Sequence, residues 1–219
     1  MIHLKAIGAA IREQGMDIVV LNEVDFATSW SWRVNQAKVI AMEAGLPFVL
    51  EQRSYDASLL FHRWSFGNAI LSRYPVSEIA SIDYPAFKKF ESIFAGKKDG
   101  VVCTVTTPMG ELRVVAVHLE VRDRETREAS MAILRDFEAS EKDRPFLLMG
   151  DYNARAVFGD EERLQSAGGL ENTFPSEKPS RRIDWIFSNQ LVELEADQTF
   201  GGNLSDHLGV RAKVISVGR

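Results

Sequence analysis

The sequence has one cysteine, Cys103, and so no pair with which to close a disulfide within the chain. That excludes a disulfide-stapled scaffold and points to a reducing compartment. Cys103 sits in the apolar run Val101-Val102-Cys103-Thr104-Val105 and reads as a buried strand residue. No apolar stretch reaches the length of a membrane-crossing helix, so no transmembrane segment is expected. Met1-Ile2-His3-Leu4-Lys5 lacks the basic region and apolar core of a secretory signal, and the expected location is cytoplasmic. A basic surplus is missing too. Lys and Arg number 26 against 31 Asp and Glu, a net charge of −5, which counts against tight duplex binding by phosphate neutralisation while leaving room for a local basic patch. Internal repeats and low-complexity tracts are absent. With 45% hydrophobic and 26% charged residues over 219 positions, the composition suits one domain, 1–219, with a sizeable core.

Periodicity organises that domain. Leu4, Ile7, Ala10 and Ile11 recur at helical spacing and stop at Gly15. Asp17 to Leu21 then reads as a buried strand that delivers Glu23 just past its end. A second helical pattern covers about Arg33 to Ala44, closed by Gly45 and Pro47. Short strands are predicted at Phe48-Val49-Leu50, Ser58-Leu59-Leu60-Phe61, Ala69-Ile70-Leu71 and Val101 to Val105. Met109-Gly110 turns into the strand Leu112 to Val117, ahead of His118. Thr126 to Ala139 returns to helical spacing, Phe146 to Met149 is a buried strand, and Ile183 to Phe187, Val192 to Ala196 and Leu208 to Ile215 complete the pattern. Strands that outnumber helices while interleaving with them predict an α/β fold of two packed sheets with helices on the outer faces. The loop from Ala154 to Ser180 is the longest stretch open to substrate contacts.

The polar residues that draw notice share one position, at the ends of apolar strands, where a sheet exposes its edges and a site can be built. They are Glu23, His118, Asp151 with Asn153, Asp184, and Asp206 with His207. Singly, each has a bland reading. Glu23 suits a surface position, His118 a satisfied strand-end histidine, Asp151-Tyr152-Asn153 an Asx turn, Asp184 an arginine partner and Asp206 a turn. Five such groups at five strand ends are harder to dismiss. Oxygen donors from Glu23, Asp151, Asn153 and Asp206 suit Mg²⁺ or Mn²⁺, whereas no HExxH or CxxC supports zinc. Two imidazoles add groups that move protons near neutral pH. Such a set can drive water onto a phosphate ester. Arg122, Arg124 and Arg127 alternate with acids and read first as a salt-bridged face, second as phosphate-steering groups. Lys88-Lys89 and Lys97-Lys98 read first as solvated loop charges and second as contacts to an anionic substrate. Trp30, Trp32 and Trp64 read first as core packing and second as base or lipid contacts, which the loop position of Trp30-Ser31-Trp32 suggests.

Six segments in order, Leu21-Asn22-Glu23-Val24-Asp25, Gly67 to Arg73, Val117-His118-Leu119, Gly150-Asp151-Tyr152-Asn153-Ala154, Arg182 to Ile186 and Ser205-Asp206-His207, resemble the endonuclease/exonuclease/phosphatase superfamily from about residue 4 to 215. The resemblance implies a four-layered, DNase I-like α/β sandwich of two packed mixed β-sheets flanked by helices, and a Mg²⁺- or Mn²⁺-dependent phosphoesterase. By likeness, Glu23 binds the metal with Asp206 beside it. Asp151 and Asn153 orient nucleophile or phosphate, and His207, oriented by Asp184, contacts the phosphate or acts as the base. His118 hydrogen-bonds the phosphate or assists the leaving group, and Asn68, in the matching turn, is a second-shell or substrate-binding residue. Read from the residues alone, Arg122 is a candidate substrate contact. Members of that superfamily usually begin with a strand carrying an Asn, which has no counterpart here. Three expectations stay open: a truncated product, a site that works without that group, or a sheet neighbour left unpaired and completed by another chain or segment, of which a homo-oligomer is one form. The expected partner is a phosphate ester, on a small molecule or lipid headgroup in preference to nucleic acid. The rival reading is a binding or scaffold module that keeps the fold without turnover.

Overall fold

Apolar residues at helical spacing form α1 (Ile2–Glu13), which ends ahead of Gly15 in the left-handed region. The computed structural model describes residues 2–87, 98–155, 164–167 and 171–218. β1 (Ile18–Asp25) and α2 (Gln36–Ala44) follow. α2 begins at Gln36 and not near Arg33, because Asn35 caps it by accepting a hydrogen bond from Lys38 N at 3.0 Å. Gly45, with a φ of 72°, closes it.

β2 (Phe48–Leu59) and β3 (His62–Ser72) form one long antiparallel hairpin, paired from Phe48 opposite Ser72 to Leu59 opposite His62 with a one-residue shift between Arg53 and Tyr55. The separate strand predicted at Ser58 to Phe61 does not form. Pairing of the flanking residues puts the reversal at Leu60, which has a φ of 53°, and the apolar run is left exposed at the turn. Trp30 and Trp32 also depart from expectation. The chain turns through Ser29–Ser31 as a short 3₁₀ segment, and both indoles face solvent instead of packing in the core, while Trp64 is half-buried.

A larger sheet is built from β4 (Val76–Ile82), β5 (Gly100–Thr107), β6 (Gly110–His118), β7 (Phe146–Asp151), β8 (Leu164–Ala167) and β9 (Asp184–Asn189), in the order β4-β5-β6-β7-β9-β8. Its β6–β7 pair is parallel, with α3 (Arg124–Ser140) as the crossover, and its other pairs are antiparallel. The smaller sheet, β1-β3-β2, is antiparallel throughout, so among the described residues the larger sheet is mixed and the smaller is not. β10 (Val192–Phe200) and β11 (Gly209–Val217) pair as an antiparallel ribbon.

Alternation along the strands sets the layers. Ala69 and Leu71 face Ile11, Ile40, Ala41 and Ala44 of the two N-terminal helices, while Ile70 between them faces the other sheet. Val101, Cys103, Val114, Ala116 and Leu147 fill the space between sheets, joined by Val192 and Val214 of the ribbon. Val102, Val115, Val117 and Leu148 point outwards onto Met131 and Leu134 of α3. Helix, sheet, sheet and helix stack as a four-layered α/β sandwich. Burial in its middle pushes the Cys103 thiol up to about 11, so it stays protonated at neutral pH.

Candidate active site

Three neighbouring strands of the larger sheet bring polar residues to one end. His118 lies opposite Asp151 where parallel β6 and β7 finish, and Asp151 lies opposite Asp184 where antiparallel β9 starts. The chain reaches Asp151 through Gly150, whose φ is 141° and whose place would put any Cβ 2.0 Å from the Val117 carbonyl oxygen, so only glycine fits. Asn153 follows with a φ of 51°, a conformation asparagine tolerates. Its N–H donates to Asp151 Oδ1 at 2.7 Å, and its Nδ2 donates to Asp151 Oδ2 and to the Leu119 carbonyl, both at 3.0 Å. The Asp151 carboxylate is clamped, and burial together with the Asp184 charge raises its pKa.

His207 arrives from the loop after Gly202–Leu204, with Nδ1 2.9 Å from Asp184 Oδ2 and its ring 4.6 Å from the Phe174 ring centroid. Burial alone would lower the imidazole pKa; the hydrogen bond and charge of Asp184 outweigh it and raise the value. Arg182 stacks 3.9 Å above Trp185, so the bland pairing of Asp184 with an arginine gives way to the contact with His207. Ligand atoms of Asp151, Asp184 and His207 lie within 4.8 Å of one another, close enough to hold a metal ion.

The smaller sheet supplies the facing wall. Glu23 lies inside β1 and not past its end, at the bulge between Leu21 and Val24, with a φ of 55°. The bulge re-aims the side chain. Glu23 Oε1 stands 3.3 Å from His118 Nε2 and 3.8 Å from Lys98 Nζ. Hydrogen bonding to His118, then the nearby positive charges, lower its pKa to about 2, so it is a carboxylate at neutral pH.

Lys98 corrects the sequence-based expectation. Its Nζ is 2.5 Å from His118 Nε2, and burial lowers its pKa against the pull of Glu23 and Asp151. It is a site cation, not a solvated loop charge. Asp151 and His118 close apolar strands and are found that way, whereas Lys98 stands in a polar stretch two residues before β5. β5 runs antiparallel to β6, so the start of β5 lies beside the end that carries His118. Lys88, Lys89 and Lys97 lie outside the described residues, as do residues 156–163 and 168–170 of the loop from Ala154 to Ser180.

Asn22 is the second residue whose part the sequence does not announce. Its Nδ2 donates to Asn68 Oδ1 at 2.8 Å and to the Val117 carbonyl at 3.0 Å, and its Oδ1 accepts from Asp151 N at 3.1 Å. One side chain thus ties both sheets together beneath the site. Asn68, expected at the substrate, is fully buried; its Nδ2 donates to Gln52 Oε1 at 2.8 Å and to the Asp99 carbonyl at 3.0 Å, which supports Asn22 and the backbone beside Lys98. Arg122, the other candidate substrate contact, has partners of its own and stays half-exposed. It grips Glu120 through Nε at 2.7 Å and a second nitrogen at 2.8 Å, and lies 5.3 Å above the Phe87 ring. Arg124 pairs with Glu128 at 2.6 Å, as a salt-bridged helix face predicts.

A cavity of about 640 Å³ gathers Glu23, Lys98, Asp151, Asn153, Asp184, Asp206, His207 and Arg181, and is lined along its length by β1 from Ile18 to Val24 and by Gly209 and Val210 of β11. Asp206 is exposed there, its Oδ1 accepting from Ser205 Oγ at 3.2 Å. Four carboxylates facing one space repel one another, and a divalent cation with a preference for oxygen would relieve that repulsion. The donor set suits a divalent metal ion.

The family model for the Endonuclease/Exonuclease/phosphatase family matches residues 1–207. The uncharacterized protein YbhP of Escherichia coli K12 is 29% identical over 178 residues, covering 74% of this chain and 67% of that protein. An endonuclease/exonuclease/phosphatase structure from Beutenbergia cavernae DSM 12333 superposes with a TM-score of 0.72 at 21% identity, over 98% of this chain and 66% of the other. The chain thus spans about two thirds of the length of both. A mannosyl-6-phosphatase of Bacteroides thetaiotaomicron VPI-5482 has a TM-score of 0.70 at 14% identity, over 97% of this chain and 90% of its own. At these identities the two structural likenesses speak for the architecture alone.

Proposed function

The chain belongs to the endonuclease/exonuclease/phosphatase family, and from that membership we propose that it is a phosphoesterase that hydrolyses its ester with Mg²⁺ or Mn²⁺ bound at Glu23 and Asp206. One observation carries the reading: the His207–Asp184 couple and the clamped Asp151 face Glu23 and Lys98 across a single cavity. A bound divalent metal supplies a Lewis acid that polarises a phosphoryl oxygen. Asp151, made more basic by burial and by Asp184, accepts the proton of the attacking water, and Asn153 fixes its direction. His207, whose protonated form Asp184 favours, donates to a non-bridging oxygen of the phosphoryl group. Lys98, beside His118, donates to the leaving oxygen as its bond to phosphorus breaks and the bond from water forms.

Hydrolysis of bis-p-nitrophenyl phosphate and p-nitrophenyl phosphate with Mg²⁺, Mn²⁺ or EDTA tests this reading. Release that needs metal and vanishes in Glu23→Ala and His207→Ala supports it, and the faster ester separates diester from monoester chemistry. Equal rates in EDTA would sink the metal assignment. Mn²⁺ binding followed by electron paramagnetic resonance should weaken in Glu23→Ala; unchanged binding there with a loss in Asp184→Asn would move the ion to Asp151, Asp184 and His207.

Assembly is a second element of the proposal. Among the described residues β1 pairs with β3 alone and β11 with β10 alone, and both line the cavity. Open strand edges offer unpaired N–H and C=O groups to a further strand, and a second copy of the chain is its source.

A further inference from the structure

Two short stretches of this acidic chain, residues 27–34 and 57–64, contain no Asp or Glu, yet hold four of its aromatic residues together with Arg33 and Arg63. The fold joins them. The first is the turn after β1 and the second is the tip of the β2–β3 hairpin. Ser29 Oγ accepts from Arg63 N at 2.8 Å, and the Phe61 carbonyl accepts from Ser29 Oγ at 3.4 Å and from Arg33 at 3.1 Å. Around these contacts Trp32, Leu60 and Phe61 are 91%, 88% and 85% exposed, with Trp30 and Leu59 at 61% and 66%. Scattered exposed apolar residues are ordinary, but five held together on two bonded tips form a patch that asks for a partner.

The patch faces a definite direction. β3 runs antiparallel to β1, with Asp25 opposite Phe66, so His62 lies roughly 13 Å beyond the level of Asp25 at about 3.3 Å per strand residue. The tip therefore projects from the same end of the sheets that carries Glu23. Resting on the phosphoesterase reading, we infer that these two tips seat the protein on an anionic lipid bilayer and that the ester it cleaves is the phosphate of a membrane lipid headgroup.

Shape and charge both favour that occupant. The apolar groups crown protruding turns and lie outside the cavity at the site, which suits shallow insertion into a soft interface. Indole rings partition to the headgroup level, where Arg33, bonded to the turn, meets lipid phosphate. Arg63 is anchored to Asp56 at 3.2 Å and braces the base of the tip. A single-stranded nucleic acid would need a track of cations beside the rings, and neither stretch supplies one. Acidic side chains, abundant elsewhere, are missing where they would meet an anionic surface.

Flotation with vesicles of phosphatidylglycerol and phosphatidylcholine in equal parts, against phosphatidylcholine alone, tests the inference with the full chain. Wild type is expected to float with the anionic vesicles and to cleave their lipid phosphate. The double variant Trp32→Ser/Phe61→Ser is expected to lose about tenfold or more of its partition, with lipid cleavage falling in step. Its hydrolysis of bis-p-nitrophenyl phosphate should stay unchanged, since neither residue lines the cavity. Leu60→Asp, at an exposed turn, provides an independent variant with the same expected loss. Wild type that stays off all vesicles, or variants that float as well as wild type, would overturn the docking surface. Flotation without lipid cleavage, in protein that still hydrolyses the soluble diester, would overturn the substrate class. Loss of oligonucleotide binding in the variants with vesicle binding intact would make the patch a nucleic-acid platform and overturn it as well. Failure on the soluble diester, in contrast, faults the phosphoesterase reading and leaves flotation to judge the surface by itself.

Discussion

His207 Nδ1 and Asp184 Oδ2 lie 2.9 Å apart and join a loop residue to the first residue of a strand 23 positions earlier. The carboxylate both fixes the ring and favours its protonated form, so the two effects should disappear together. In Asp184→Asn the His207 pKa should fall, read by NMR titration of its ring protons, and hydrolysis should fall by about 10²-fold. A lowered rate with an unmoved His207 titration would mean that Asp184 acts otherwise.

Lys98→Met tests the cation that precedes β5. Turnover should drop by about 10²-fold if the ammonium stabilises the leaving oxygen. Thermal stability should hold or rise, because burial already disfavours the charged form of this side chain. A variant with full activity would return Lys98 to the role of an ordinary loop charge.

The pH dependence of stability has a sign that the Glu23 environment fixes. Its folded pKa of about 2 lies below the ordinary 4.5. Its contribution is therefore fully present above about 4.5 and is lost as pH falls from there towards 2. Wild type should melt above Glu23→Gln at pH 6, and the gap should close through that acid window. The side chain is largely exposed, so the gap is small. A gap that widens on acidification would contradict the assigned partners.

Asn22→Ala leaves Asp151 N without its acceptor and frees one bond of the buried Asn68. Stranding buried polar groups costs about 1–3 kcal/mol, or roughly 3–10 °C in Tm for a chain of this size. A Tm within a degree of wild type would show that water replaces the amide.

Light scattering after size exclusion addresses the open edges of β1 and β11. The expected species is a dimer, broken by Val20→Pro, which blocks strand addition along β1. A monomer at all accessible concentrations would dismiss strand exchange between copies.

The fold was legible wherever burial on both faces of a strand left an uninterrupted apolar run, as at Val101 to Val105 and Phe146 to Met149. The site was legible where polar residues follow such runs, as Asp151 and His118 do. Leu59-Leu60-Phe61 misled because an apolar run says nothing of its use, and only pairing across the hairpin makes it a turn. Trp30 and Trp32 misled for the same reason, since apolar chemistry names a preferred environment and the fold chooses whether to grant it. Lys98 was hidden because its value depends on which way the next strand runs. Asn22 was hidden because its bonds reach Val117 and Asp151, far along the chain. Such partners are set by the seating of one sheet on the other.

That seating carries a consequence of its own. Glu23 belongs to the smaller sheet and His118, Asp151 and Asp184 to the larger, so neither layer by itself holds a complete reaction centre. The centre exists only as a gap between them, and the Asn22 bolt spans it. Ladder hydrogen bonds keep each sheet intact, but they do not hold that gap to tenths of an ångström. Turnover is in effect a ruler laid between the layers, and on gentle heating it should fade while far-ultraviolet circular dichroism still reports every strand in place.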